Sequence, residues 1–437
     1  MPKLIQILLL SPLLFHGGAY AEDLLQIYQL AQQSDPQLKA AQAERLAVLE
    51  SKPQSQALLY PTISASANTT GNRLNITQPT SVAGETYFNS NGYTLSLTQP
   101  VYHRDTYVQL RQADARVAQA DSQLAGAEQD LILRVSGRYF DVLAAQDNLE
   151  FARAEKKAIA RELEQSQQRF DVGLVAITDV QEAQARHDQA IAQEIAAERT
   201  LSSSRELLRE ITGQEHAALA ALGEQIPFLT PDPADIEQWT QTALKQNQQL
   251  TAAQYAAEIA REEIERQRSG HYPSVDIVGS HTNAKSGGGR FGASETDNDA
   301  VALQLNIPIY QGGLITSRTR EAEYRHSQAR ENLEQQQRAA VRQTRDSYTG
   351  VIANISRVSA LKQAVTSSKT ALEATEVGLE VGTRTQVDVL DAQRELFRAE
   401  RDHARARYDY IIESLRLKQA AGTLAPTDVE QINGWLK

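Results

Sequence analysis

The chain contains no cysteine, and aromatic residues make up only 6% of its 437 residues. Without cysteine there is no disulfide, no thiolate metal site and no lipid anchor on a cysteine. The net charge of −11 and the lack of a basic stripe argue against a nucleic-acid partner. After residue 21 no segment approaches the roughly 20 apolar residues of a transmembrane helix. Any crossing of a membrane would therefore require strands.

The first 21 residues have the features of a secretory signal peptide. Lys3 supplies the positive charge, and Leu4–Phe15 form an apolar core too short to span a bilayer. Ala19–Ala21 follow as a cleavage site of the Ala-x-Ala kind. We therefore predict that residues 1–21 are removed and that the exported chain begins at Glu22.

An internal repeat organises the rest of the sequence. The segment "DLLQIYQLAQQSDPQLKAAQ" from Asp23 resembles "DIEQWTQTALKQNQQLTAAQ" from Asp235, and "YPTISASA" from Tyr60 resembles "YPSVDIVG" from Tyr272. Further segments, among them "VGLVAITDVQEAQ" and "VGTRTQVDVLDAQ", match in the same order at an offset of 208 to 212 residues. A constant offset over several segments indicates a tandem duplication.

The duplication predicts three parts of the exported chain. They are a first repeat over residues 22–225, a proline-containing linker over residues 226–234 and a second repeat over residues 235–437. Each repeat reads as short helices, two strands, a very long helix, a tight turn and a second long helix.

The strands are predicted from alternating apolar and polar residues. Residues 62–68, 93–101 and 301–309 show this period of two, and each predicted strand is about ten residues long, as in tilted membrane-spanning strands. The segments 69–92 and 282–299 are rich in Asn, Ser, Gly and Thr and are predicted to contain long loops. The pattern alone leaves an ordinary half-buried sheet of a soluble protein as an alternative.

Long helices are predicted over residues 105–170 and 317–380, because apolar residues recur there at helical spacing without proline. About 65 residues correspond to ~100 Å of helix, which needs coiled-coil partners along its length. Four strands per chain cannot close a barrel, since bacterial single-chain barrels begin at about eight. Several chains must therefore share one barrel; three chains with twelve strands are the natural solution, but two or four also satisfy this count.

Two acidic residues stand together after the second turn. Asp388 and Asp391 are three residues apart and so share one face of the predicted helix. On a trimer axis they would form a cation-attracting ring of six carboxylates, and we expect such close charges to raise each other's pKa. The alternative is that Asp388 and Asp391 form an acidic helix face that is simply exposed to solvent. For the first turn the alternative is a local structural role, in which Thr178 caps the helix and Asp179 lies near its positive end.

These residues resemble the TolC-type outer membrane factors. The resemblance rests on "IPIYQGG", "RFDVGLVAITDVQEAQ" and "VGTRTQVDVLDAQ" and extends over essentially the whole exported chain. It implies a mostly α-helical fold with a membrane β-barrel: a homotrimer whose 12-stranded barrel is continued by a long α-helical coiled-coil barrel. It also implies an exit duct for tripartite efflux or type I secretion in the outer membrane of a Gram-negative bacterium. The partners would be membrane lipid, a periplasmic adaptor and an inner-membrane pump of the RND, MFS or ABC type.

The resemblance also implies roles for single residues. Asp388 and Asp391 match the acids that ring the closed periplasmic entrance. Arg384 matches an arginine that binds Thr178 and Asp179 of the neighbouring protomer. The family has a tyrosine five residues before this arginine, where this chain has Leu379, so one hydrogen bond of the latch is missing.

Adaptor docking is predicted at the turns that contain Gly173, Leu174, Gly382 and Thr383, and docking would open the duct by an iris-like movement. The alternative function is a secreted or surface-anchored structural coiled-coil protein without transport activity. An enzyme is not expected, because the eight histidines are scattered and no catalytic or metal-binding spacing occurs. No catalytic, cofactor-binding or metal-binding residue is predicted.

Overall fold

The structure is a computed structural model that describes residues 21–79, 83–289 and 291–437. The predicted signal peptide lies outside the described residues except for Ala21. The described elements, in chain order, are α1 (Leu24–Ser34), α2 (Pro36–Leu49), α3 (Ser51–Ala57), β1 (Thr62–Ile76), β2 (Gly84–Tyr102), α4 (Arg104–Asp171), α5 (Ile177–Thr212), α6 (Ile236–Gln246), α7 (Gln248–Arg268), β3 (Ser274–Ser286), β4 (Ser294–Asn306), α8 (Leu314–Glu380), α9 (Gln386–Ala421) and α10 (Pro426–Asn433).

The element order repeats in the two halves of the chain: short helices, two strands, one very long helix and a second long helix. The predicted long helices, residues 105–170 and 317–380, correspond to α4 and α8 and differ from them by at most three residues at either end. Their apolar spacing and lack of proline explain why they run unbroken for 68 and 67 residues. The tandem-repeat fold with long paired helices is therefore confirmed.

The described chain divides into two compact units. The first contains the described residues up to Lys39 together with Glu128–Gln241 and Gln343–Lys437, and the second contains Ala40–Ala127 and Thr242–Arg342. The sheet belongs to the second unit, whereas both helix-to-helix turns belong to the first.

The second unit contains one antiparallel sheet with the strand order β1-β2-β3-β4. In the middle of the sheet, Leu95 of β2 lies opposite Ala65 of β1 on one side and His281 of β3 on the other. Among the described residues, β1 pairs only with β2 and β4 pairs only with β3. One chain therefore forms a sheet with two unpaired edges.

All four strands are longer than predicted, with lengths of 15, 19, 13 and 13 residues. The predicted loops 69–92 and 282–299 are wrong over most of their length, since β1 continues to Ile76 and β2 begins at Gly84. Polar cross-strand pairs such as Asn283 with Asp297 at 2.6 Å extend the ladder where apolar alternation has stopped. In contrast, residues 307–309 of the third predicted strand lie beyond the end of β4.

The last strand exposes apolar side chains on one face. Val301 is 84% exposed, Leu303 71% and Leu305 58%, and they alternate with Ala302 and Gln304 on the opposite face. Leaving three large aliphatic side chains in water is unfavourable, because burying each fully would contribute about 1.5–3 kcal/mol. This face of β4 is suited to an apolar environment.

Helix α7 packs on the second unit's part of α4 through polar contacts. Gln112 Nε2 of α4 donates to Glu263 Oε2 of α7 at 3.0 Å, and Arg266 and Gln267 also donate to Glu263. Burial raises the pKa of Glu263, but these hydrogen bonds outweigh it and lower the pKa to about 2.

The core of the first unit contains an aromatic cluster. Phe140 lies edge-to-face on Tyr139 and is stacked on Tyr408, with ring centroids 5.5 Å apart in both pairs. The buried hydroxyl of Tyr139 donates to the carbonyl of Ala220 at 2.7 Å, and the hydroxyl of Tyr408 donates to Asp147 at 2.7 Å. The cluster thus holds α4 and α9 together, and both of its tyrosine hydroxyls have hydrogen-bond acceptors.

Within the described residues, no helix is both long enough and apolar enough to span a lipid bilayer.

Candidate channel gate and docking turns

Two turns of the first unit, each joining a pair of long helices, have the same backbone geometry. In the first, the N–H of Leu174 donates to the carbonyl of Arg169 and the N–H of Gly173 to that of Phe170, both at 2.8 Å. In the second, the N–H of Thr383 donates to the carbonyl of Gly378 at 2.8 Å, and Gly382 donates to Leu379 at 3.1 Å. These nested bonds define a Schellman motif at the end of each helix.

Each motif places a glycine in the left-handed region, with φ of 75° at Gly173 and 76° at Gly382. Any other L-residue would be strained there, which explains the residue type. Apolar side chains surround these glycines on the surface: Val172 is 70% exposed, Leu174 74% and Val381 68%. The turns therefore present exposed apolar side chains on a rigid backbone.

The helix that follows the second turn begins with a capping box. The backbone N–H and the hydroxyl of Thr385 both donate to Asp388 Oδ2 at 2.8 Å, and the N–H of Asp388 donates to Thr385 Oγ1 at 3.2 Å. Because these bonds and the nearby positive charge of Arg384 favour the carboxylate, the pKa of Asp388 lies below its ordinary value. Within one chain the pKa of Asp388 is thus lowered, and the expected rise by carboxylates of three copies on one axis stays a prediction.

The helix that follows the first turn has no side-chain cap. Helix α5 begins at Ile177, and its N-cap is Ala176, so the capping interpretation of Thr178 is wrong. The position equivalent to Thr385 holds an alanine here, which has no hydroxyl to bind an amide. Asp179 accepts only one long contact among the described residues, from Thr178 Oγ1 at 3.5 Å. Its carboxylate is thus exposed, and within the described residues it accepts no short hydrogen bond.

The two predicted aperture acids have different partners. Asp388 is bound within its own helix, as described above. Asp391 Oδ1 accepts from Arg186 Nη1 of α5 at 3.1 Å, and Arg394 Nη2 lies 3.9 Å away. Asp391 remains 52% exposed. The two acids therefore share a helix face but do not share an environment.

Arg384 lies exposed at the second turn, directly before the N-cap of α9. Within the described part of one chain its side chain forms no hydrogen bond or ion pair, including with Thr178 and Asp179. Its backbone is fixed, since its N–H donates to the carbonyl of Gly378 at 3.1 Å. A cationic side chain is thus presented at the turn, near Asp388 but without a hydrogen-bond or ion-pair partner among the described residues.

Two residues of this site were not predicted from the sequence, Gly378 and Arg186. A Cβ at position 378 would lie 2.7 Å from Cγ of Arg384, so only glycine leaves room for the arginine side chain as it stands. A comparison of the two turns could have pointed to Gly378, because the equivalent position in the first turn is Arg169. No sequence pattern marks Arg186 as a partner of Asp391.

In the described ranges, no three His, Asp or Glu side chains are arranged to hold a metal ion.

The sequence profile of the family described as outer membrane efflux protein matches residues 27–214 and 239–423. The chain belongs to the outer membrane efflux protein family. It is 42% identical to the outer membrane protein TolC of Vibrio cholerae, over 96% of this chain and 95% of that protein. It is 37% identical to TolC of Escherichia coli, over 100% of this chain and 90% of that protein.

A relative from protein secretion is also similar. The alkaline protease secretion protein AprF of Pseudomonas aeruginosa is 31% identical, over 96% of this chain and 88% of that protein. Among solved structures, the Campylobacter jejuni CmeC outer membrane channel superposes with a TM-score of 0.80 at 16% identity, over 95% of this chain and 90% of that one. The outer membrane protein VceC of Vibrio cholerae superposes with a TM-score of 0.76 at 19% identity, over 91% and 96%. These structures confirm the fold.

Family membership places the chain in the outer membrane of Gram-negative bacteria, as an exit duct of efflux and secretion systems. The alternative interpretation, a structural coiled-coil protein without transport activity, is therefore wrong. The relatives are channels, and no enzyme family is indicated.

Proposed function

We propose that three copies of this outer-membrane exit duct close around one axis, each contributing four strands to a 12-stranded barrel and its long helices to a helical barrel. The observation that carries this proposal is the four-stranded sheet with two unpaired edges. In lipid each unpaired backbone group costs several kcal/mol, so the edges of β1 and β4 require strands of other copies. The exposed aliphatic face of β4 is suited to contact with lipid.

The boundaries of the two repeats, residues 22–225 and 235–437 with a linker over 226–234, are part of the same proposal. The family profile supports them, because it matches the chain twice, over residues 27–214 and 239–423. Each copy would thus contribute two equivalent modules to the duct.

The turns are proposed as the docking sites of a periplasmic adaptor protein. Gly173, Leu174, Gly382 and Thr383 form the two Schellman motifs, and the exposed side chains of Val172, Leu174 and Val381 offer apolar contacts. A rigid backbone with exposed apolar side chains loses little conformational entropy on binding. An inner-membrane pump of the RND, MFS or ABC type would complete the path.

The gate is proposed to depend on Arg384, which would bind Thr178 and Asp179 of a neighbouring copy. Arg384 has no ion-pair partner among the described residues of its own chain, and Asp179 is weakly engaged, so both are free to form a charge-assisted bond between copies. Leu379 has no hydroxyl to add to this latch. Breaking such an exposed pair costs about 0.2–1 kcal/mol, so binding of an adaptor at three symmetric sites can open the duct by an iris-like movement.

Asp388 and Asp391 are proposed as the acidic ring of the aperture. Three copies would bring six carboxylates near one axis, where they attract cations and repel anions. The lowered pKa of Asp388 is compatible with this role, because the carboxylate then stays charged to lower pH than an ordinary aspartate.

The test is single-channel conductance of the purified chain in planar lipid bilayers, with Arg384→Ser as the variant. We expect the wild type to form cation-preferring channels of low conductance and the variant to have a higher conductance. Arg199→Ser, at an exposed arginine of α5, is the matched control. Chemical cross-linking in outer-membrane fractions should trap trimers.

Two results would contradict the proposal. A protein that inserts into no bilayer and forms no trimer is not a protomer of a shared duct. A trimeric channel whose conductance is unchanged by Arg384→Ser has a gate that does not depend on Arg384.

A further inference from the structure

An ion pair connects two helices of the first unit at the candidate aperture. Arg186 of α5 donates through Nη1 to Asp391 of α9 at 3.1 Å and through Nη2 to Glu182, one turn earlier on its own helix, at 2.9 Å. The side chain of Arg186 is 22% exposed, against 52% for Asp391. The side chain of Arg186 is therefore more buried than those of the two acids that it binds.

The surroundings of Arg186 explain why it is enclosed. It lines a small cleft between α4, α5 and α9 together with Glu155 of α4 and the buried side chains of Ala190 and Leu390. An arginine can pack its aliphatic stem along such a surface while its charged end reaches a carboxylate. Glu182 occupies the second side of the guanidinium, which restricts the orientations open to Arg186. The arginine is thus preorganised to bind Asp391.

The pair makes the two aperture acids unequal. Asp388 keeps its partners within α9, through Thr385. Asp391 is bound to a different helix, and its negative charge is offset by a cation of the same chain. A movement of α9 away from α5 would leave Asp388 unchanged but would separate Asp391 from Arg186.

We propose that Arg186 is a further determinant of the gate, resting on the duct function proposed above. In the closed duct Arg186 ties α9 to α5 within each chain and offsets the charge of Asp391 at the aperture. Opening separates the pair, which leaves Asp391 with Arg394 of its own helix at 3.9 Å and exposes more of its negative charge to the permeating ion. The closed aperture therefore depends mainly on Asp388 for its cation preference, and the open aperture depends on both acids.

The first test is cross-linking, which the absence of cysteine in the chain makes specific. Arg186→Cys is combined with Asp391→Cys and treated with a short bifunctional maleimide, and denatured products are separated by size and mapped by mass spectrometry. We expect a link within single chains, seen as a monomer whose two peptides are joined. The pair Arg199→Cys with Asp391→Cys, on the same two helices but farther along α5, should give no link.

A ladder of linked dimers and trimers would place Arg186 against Asp391 of another copy and overturn the proposal. So would the absence of any link in assembled trimers. Neither result depends on channel activity, so this test separates a failure of the inference from a failure of the proposed duct function.

The second test is conductance and ion selectivity in planar bilayers. Arg186→Gln and Asp391→Asn both break the tie in all three copies, so each should raise the open population about 3- to 150-fold, the factor expected for three exposed ion pairs lost together. Their effects on charge are opposite: Arg186→Gln should raise the cation-to-anion permeability ratio, and Asp391→Asn should lower it. The double variant should be no more open than either single variant.

Arg199→Gln removes the same charge from the same helix without breaking a pair among the described residues and is the control. If Arg186→Gln behaves like Arg199→Gln in both readouts, Arg186 has no part in the gate. If both single variants shift selectivity but neither changes the open population, the pair does not tie α9 to α5, and the proposal is equally overturned.

Discussion

Replacing Gly378 by alanine should open the duct without destabilising the protein. Gly378 lies four residues before the second turn, and its carbonyl accepts from the N–H groups of Thr383 and Arg384 and from Thr383 Oγ1. A Cβ added there would lie 2.7 Å from Cγ and 3.3 Å from Cβ of Arg384. Because these atoms belong to the base of the side chain, Arg384 cannot avoid the contact by moving its tip and must rotate about χ1.

Two effects of Gly378→Ala on the free energy of unfolding have opposite signs and nearly cancel. Alanine in place of glycine within a helix stabilises it by about 1 kcal/mol. Forcing Arg384 out of its rotamer costs about 0.5–1.5 kcal/mol. The free energy of unfolding should therefore change by less than ~1 kcal/mol.

The gate should respond more strongly than the fold. If the displaced Arg384 loses a latch contact of up to ~1 kcal/mol in each of three copies, the closed state loses about 3 kcal/mol, which is a factor of ~100 in population. The assay is single-channel conductance beside a thermal melt. Conductance of Gly378→Ala should approach that of Arg384→Ser, while the melting midpoint stays close to that of the wild type.

Gly137→Ala is the matched control, because Gly137 lies inside α4 and a Cβ there would meet no atom within 4 Å. It should raise the melting midpoint without changing conductance. If Gly378→Ala is as closed as the wild type while Arg384→Ser is open, Gly378 does not position Arg384, and the steric reasoning is refuted.

Two further predictions concern stability. The pKa of Glu263 is lowered from 4.5 to about 2. Its carboxylate therefore contributes fully to the free energy of unfolding above pH 4.5, and this contribution is lost as the pH falls towards 2. In Glu263→Gln the free energy of unfolding should fall less between pH 6 and pH 3 than in the wild type. Urea unfolding midpoints at pH 6 and pH 3 measure this fall, and Glu258→Gln, at an exposed residue of the same helix, is the control. An equal drop in midpoint between pH 6 and pH 3 for both variants would contradict the prediction. Thr385→Ala should cost about 1 kcal/mol of helix stability and speed amide exchange in the first turn of α9, whereas Ala176→Thr should slow exchange in the first turn of α5; unchanged exchange in Thr385→Ala would show that the capping box does not hold α9.

The long helices were the most predictable part of the fold. Over α4 and α8 every level of the sequence agrees, with apolar residues at helical spacing and no proline, and only the ends shift by up to three residues. The strands were predictable in their apolar parts only. The outer part of β1, which contains Asn72 and Arg73, pairs through polar contacts whose partners lie on β2, and single-strand alternation cannot reveal a partner.

The candidate site was predictable where it depends on local sequence and unpredictable where it depends on helix register. Gly382 and the capping pair Thr385 and Asp388 belong to one turn, so their types and spacing suffice to predict their geometry. Asp391 and Arg186 are 205 residues apart, and their contact depends on how α5 and α9 pack. The lowered pKa of Asp388 within one chain was unpredictable for a related reason, since charge spacing alone omits the hydrogen bonds of Thr385.

The two turns show how a duplicated backbone can serve two roles. Both keep the same nested hydrogen bonds and the same glycine conformation, so the duplication has preserved the reversal of the chain. The side chains differ at equivalent positions: Ala176 replaces Thr385, and Val175 replaces Arg384. Without the threonine, Asp179 enters no capping box and keeps its carboxylate for another partner. Because an arginine stands directly before the N-cap only in the second turn, the proposed latch runs from the second turn of one chain to Asp179 in the first turn of the next, which gives the proposed gate a direction around the trimer.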